Sequence, residues 1–222
     1  MTHVLIAGKE TGGAIFAKTA AECGRTAVLT VGQDVSDADI GDFDTPVCAV
    51  AWNKASPISA RAAILGFESK FSKIDEALLV FDTAVQGADF STKNCSRMLD
   101  SIAGYMYMTA ELLMRFAKKG GGDIVFLFQE SGDEIFEEKT GILPHTGAAA
   151  FRAFAENISR VYAQESFMRV FLLETPKEQQ DTQIARWVFS HLDETAAAKQ
   201  KWVRYGAKRT FDFLFNSKSY TK

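Results

Sequence analysis

The sequence predicts a single α/β domain of three layers, a doubly wound parallel sheet with helices on both faces. Three observations point there. Six short runs, "HVLIAG", "TAVLTVG", "PVCAVAW", "EALLVFDTA", "DIVFLFQ" and "MRVFLLET", are almost wholly apolar. Strands of that kind are buried on both faces, as parallel strands are. Segments with helical spacing separate most of them, and right-handed crossovers then wind the sheet on both sides. The chain has 222 residues, enough for one sizeable core, and shows no repeat, linker or low-complexity segment.

The elements follow in order. The run from His3 to Gly8 reads as the first strand. "GGAIFAKTAAECG" has helical spacing and a glycine stop. The second strand, "TAVLTVG", leads into "QDVSDADIGDFDTP", which is acidic and broken by Gly and Pro and reads as a loop. After the third strand, Ser56 is placed to cap a helix with Pro57 at its first position. The fourth strand precedes a long helix, "TKNCSRMLDSIAGYMYMTAELLMRFAKKGGG", closed by lysines and a glycine run. The fifth strand leads through an irregular acidic connection into the helix of "GILPHTGAAAFRAFAENISRVYAQE". After the sixth strand, "DTQIARWVFSHLDETAAAKQK" reads as helical, and "KWVRYGAKRTFDFLF" as holding a last short strand.

Composition narrows the function classes. Apolar residues make up 47% of the chain, charged residues 24%, and the formal net charge is −3. Lys and Arg are scattered, so no nucleic-acid partner is expected. Cys23, Cys48 and Cys95 lack metal-ligand spacing with the three histidines and read as reduced thiols in a cytoplasmic protein. "MTHVLIAGKE" enters a strand at once, without a leader pattern. No apolar run approaches the ~18 residues a membrane span needs.

The turn Gly8-Lys9-Glu10-Thr11-Gly12-Gly13-Ala14 joins the first strand to the first helix. Glycines there let the backbone approach a pyrophosphate, and a helix N-terminus supplies N–H donors. The same glycines also serve a tight turn and close helix packing. Glu10 would repel a phosphate unless it pointed outward, and Lys9 could offset it. The turn makes the predicted sheet Rossmann-like.

Taken together these segments resemble the short-chain dehydrogenase/reductase family, from Val4 to about Arg186. "AGKETGGA" is similar to that family's TGxxxGxG loop, with Ala14 in place of the last glycine. Asn53 falls where the family usually has an adenine-contacting Asp. "LLVFDTA" resembles the strand-four motif LVNNAG, so Asp82 falls among its asparagines. The resemblance implies NAD or NADP as cofactor, with Gly8, Thr11, Gly12, Gly13, Asn53 and Asp82 as its contacts. Neither Gln33 nor Asp34 selects clearly between the two.

The family's reaction implies a Tyr acid/base, a Lys that lowers its pKa, a Ser that polarises the carbonyl and an Asn that holds a relay water. The Asn falls at Ser101. The Ser falls at Gln129, with Ser131 two residues on. The Tyr-x-x-x-Lys pair falls at His145 and Ala149, at Pro144 and Ala148, or at Ala148 and Arg152, depending on register. No register supplies a Tyr or a Lys. A phenol near pKa ~10 needs a cation to act at neutral pH, whereas an imidazole near ~6.5 does not. The expectation is a protein with the family's frame and without its catalysis, with or without a bound nucleotide. Two alternatives stay open. One is an oxidoreductase using His145 with Gln129 or Ser131; the other is a structural or regulatory oligomer that binds no nucleotide. The segment after the sixth strand is short, only "KEQQD" beyond "ETP", where the family has a longer substrate-covering stretch.

The family also pairs two long helices with a partner's copies. Here the helices around 95–118 and 146–165 are apolar over more than the ~100° a one-sided surface helix needs. A homodimer or tetramer through them is expected.

Overall fold

The structure, a computed structural model, describes residues 1–9, 11–32, 48–82, 90–130, 141–176, 179–195 and 200–206. The acidic stretch after the second strand and Glu10, Gln33, Asp34 and Ser131 lie outside them.

The described residues form β1 (Thr2–Ala7), α1 (Gly13–Glu22), β2 (Arg25–Val31), β3 (Cys48–Ala51), α2 (Pro57–Phe71) and β4 (Glu76–Asp82). They continue with α3 (Thr92–Lys119), β5 (Gly122–Gln129), α4 (Ile142–Val161), β6 (Met168–Thr175), α5 (Asp181–Glu194) and β7 (Val203–Arg204). One sheet holds all seven strands in the order β3-β2-β1-β4-β5-β6-β7, every pair parallel. The order reverses between β1 and β4. In an open α/β sheet that is where a crevice forms beyond the strand ends.

Strand alternation assigns the two faces. Val4, Ile6, Leu78, Val80, Val125 and Leu127 turn to one core with Phe16 of α1 and Phe189 of α5. Leu5, Leu79, Phe81, Ile124, Phe126 and Phe128 turn to the other, against α2, α3 and α4. Many of the chain's phenylalanines pack here. Phe151 stacks on Phe81 at 4.8 Å between centroids and meets Tyr105 edge-on at 5.1 Å.

Local signals explain most element ends. The Ser56 hydroxyl accepts from the N–H of Ser59, with Pro57 in the first helical position. Ser91 caps α3 in the same way, and Gly120 closes it in the left-handed region. Two ends differ from expectation. α4 begins at Ile142, so Pro144 lies in its first turn, where a missing N–H costs nothing. α5 stops at Glu194, and the carbonyl oxygen of the extended Thr195 accepts from Arg169 Nη1 at 2.8 Å.

α5 is tied to its surroundings along its length. Asp181 in its first turn pairs with Lys9, Arg186 with Glu22, and Asp193 near its end with Arg25. Among the described residues no helix is long and apolar enough to cross a membrane.

Candidate functional site

The crevice at the C-terminal strand ends is built first by glycine. Gly8 ends β1 with φ +90° and Gly12 precedes α1 with φ +77°, conformations that favour glycine. A side chain on Gly8 would run into the Val80 carbonyl and the Tyr105 hydroxyl, which donates to that carbonyl. The Gly8 N–H donates to the Thr30 hydroxyl at 3.3 Å. Gly13 is buried against Leu29, and Thr11 is exposed. Gly12 leaves α1 without a side-chain cap.

A polar cluster lies across this turn. Lys9 is buried, and its ammonium sits 3.2 Å from Asp82 at the end of β4 and 3.2 Å from Asp181. Gln129, at the end of β5, donates from Nε2 to the same Asp181 oxygen at 3.4 Å. The other Asp181 oxygen lies over Gly12, where an added Cβ would overlap it. Asp82, Gln129 and Thr175 are register partners across β4, β5 and β6, so they form one row on the α1/α5 face.

Asp181 and its convergence with Lys9 were not picked out in the sequence. Its one signal is the brevity of the β6–α5 connection, residues 176–180. So few residues bring the start of α5 back over the strand ends.

The residues matched to catalysis are spread out. Gln129 is buried and faces α5. His145 is exposed on α4, in the opposite layer. Ser101 is buried on α3, and its hydroxyl has no hydrogen-bond partner among the described residues. Ser131 lies outside those residues. Arg152, the cation in one register, gives Nη1 to Glu174 at 2.7 Å and lies over the rings of Phe128 and Trp202, at 5.2 and 4.7 Å. Asn53 turns its Oδ1 back to the N–H of Ala55 at 3.0 Å. Among the described residues no group of three or more His, Cys, Asp or Glu is placed to hold a metal.

With that geometry in view, the comparisons with known proteins concern the fold. The structure is similar to a 3-ketoacyl-(acyl-carrier-protein) reductase from Brucella melitensis complexed with NADH, with TM-score 0.69 and 18% identity over 92% of this chain and 96% of that one. It is similar to serine dehydrogenase from Escherichia coli, with TM-score 0.72 and 14% identity over 91% and 96%. A short-chain type dehydrogenase/reductase from Mycobacterium marinum gives 0.71 and 13% over 91% and 92%. The fold is that of the short-chain dehydrogenases/reductases. In sequence, an uncharacterized protein from Treponema pallidum (strain Nichols) is 25% identical over 204 residues, 88% of this chain and 90% of that protein. No family model matches the sequence.

A dinucleotide in this fold lays its pyrophosphate over the first glycine turn, against the N-terminus of α1. Gly8 and Gly12 have the backbone for it. Asp181 does not fit: its carboxylate occupies the approach to Gly12, and Lys9 is already engaged by two carboxylates. The residues present accept a pyrophosphate only if the Asp181 side chain moves.

Proposed function

We propose that the chain is a short-chain dehydrogenase/reductase-like protein that does not carry out the family's hydride transfer. One observation carries this reading. Where that reaction needs a proton donor, a tuning cation and a carbonyl-polarising group together, Gln129 faces α5, His145 stands exposed in the other layer, and Arg152 is bonded to Glu174. A proton donor must reach the substrate oxygen with its pKa near the working pH.

Purified protein with NADH or NADPH and a panel of aldehydes and ketones is expected to show no turnover above background. Reduction by the wild type that is lost in His145→Ala overturns the reading in favour of a replacement catalyst.

The same proposal makes the protein a cytoplasmic homo-oligomer. Cys23, Cys48 and Cys95 are all free thiols. On α3, Leu99, Ala103, Met106, Ala110, Met114 and Ala117 succeed one another at three- and four-residue steps on the outer side. Leu99 is 63% exposed and Met106 44%. On α4, Ile142 is 48% exposed, and Ala149 and Ala153 continue its outer side. Two adjacent apolar stripes suit a second copy packed about a twofold axis, burying ~800 Å² per subunit. Light scattering at micromolar concentration is expected to give a dimer or tetramer, and Leu99→Glu with Met106→Glu a monomer. A monomeric wild type sinks the interface.

A further inference from the structure

We infer that Asp181 is an internal anion seated in the phosphate position of the glycine turn, and that it closes the crevice to dinucleotides. Its carboxylate lies over Gly12, at the start of one helix, and Asp181 itself is the first residue of another. The first of these, α1, begins at Gly13 without a side-chain cap. Each N-terminus carries roughly half a positive charge, which an anion satisfies. In a nucleotide-bound relative of this fold a phosphate would supply that anion; here a side chain does.

The surrounding contacts hold the carboxylate in place. Lys9, with 5% of its side chain exposed, lies 3.2 Å from one oxygen, and Gln129 donates to that same oxygen at 3.4 Å. The second oxygen covers Gly12. Asp82 is on the far side of Lys9 at 3.2 Å. Lys9 thus faces two carboxylates. A pyrophosphate entering the cluster would meet steric overlap at Gly12 and like charge in a partly buried, weakly screened position. α5 starts at Asp181, six positions after β6 ends at Thr175, so the carboxylate belongs to the first residue of the helix.

The inference rests on the reading of the chain as a dehydrogenase frame without its chemistry, yet the two fail differently. Turnover by the wild type defeats that reading. The closure is tested by binding alone. NADH and NADPH are titrated into wild type, Asp181→Asn and Asp181→Ala, followed by nucleotide fluorescence and by thermal midpoint. Asn keeps the side-chain shape and the helix start, so it reports the charge even if Ala proves unstable. The wild type is expected to show no saturable binding up to about 1 mM, and the Asn variant to bind at least about tenfold more tightly. Wild-type binding as tight as that of the variant overturns the closure. So do folded Asn and Ala variants that both bind no better than wild type.

Discussion

Replacing Arg25 with Ala is expected to cost about 3–5 kcal/mol of folding stability, the effect of removing one partner from a buried ion pair. Arg25 is 4% exposed and bonds twice to Glu76, Nε to Oε2 at 2.7 Å and Nη2 to Oε1 at 3.0 Å. It also holds Asp193 at 2.7 Å, bonds the Cys23 carbonyl and lies over the Phe189 ring at 4.9 Å. Glu76 is 6% exposed and has Asp123 as its neighbour across the strands, so without Arg25 a carboxylate stays buried beside another. Burial is the largest influence on both partners. It opposes the Arg25 charge, but Glu76 and Asp193 overcome it and hold the guanidinium firmly charged. It also pushes the Glu76 carboxyl up, and Arg25 only partly counters it.

The pH dependence follows from that upward direction. A carboxyl raised on folding adds stability that is complete below its unfolded value, about 4.3, and lost as pH rises through the folded value. Without Arg25 the folded value moves higher, so the variant's deficit should grow from acid toward neutral pH. Urea unfolding of both proteins between about pH 4 and 7 checks this. A deficit that is small at neutral pH, or that shrinks as pH rises, contradicts the role given to the pair. Arg25→Met with Glu76→Leu removes both charges and should recover much of the loss.

Phe151→Ala should cost a similar amount, about 3–5 kcal/mol. Phe151 is fully buried on α4, stacked on Phe81 and edge-on to Tyr105 and Phe126. Its loss removes both the transfer energy of the ring and the contacts of three aromatic neighbours, which themselves are fixed by β4, α3 and β5. Such a site cannot collapse around the gap. Phe151→Leu keeps most of the volume and should cost less than about 1.5 kcal/mol if the core repacks. Guanidinium unfolding distinguishes the two. An Ala variant within about 1 kcal/mol of wild type would mean that the ring cluster is loosely packed.

The frame was legible because its determinants are local. Six apolar runs mark β1 to β6, Ser56-Pro57 starts α2, and the glycine run after Lys119 ends α3. The ends that misled depend on tertiary partners. α5 reads as helical well past Glu194, yet the backbone is extended at Thr195, whose carbonyl meets Arg169 from β6. The site was legible only as positions. Gly8 and Gly12 declare their backbone through residue type, and both adopt positive φ. Asp181 lies 169 or more residues from Lys9 and Gly12 in sequence, and only the fold brings it beside them. No local pattern announces a carboxylate that is paired across the whole chain.

The double attachment of α5 limits which part of it can move. A rod bolted near both ends cannot swing: with Arg25 gripping Asp193 and Lys9 gripping Asp181, tilting it would break a buried anchorage at the far end. Opening the crevice therefore requires one side chain, Asp181, to leave Lys9 and Gln129 and rotate away, rather than the whole helix to swing as a lid does. The doorway is stopped by a plug, not by a gate on a hinge.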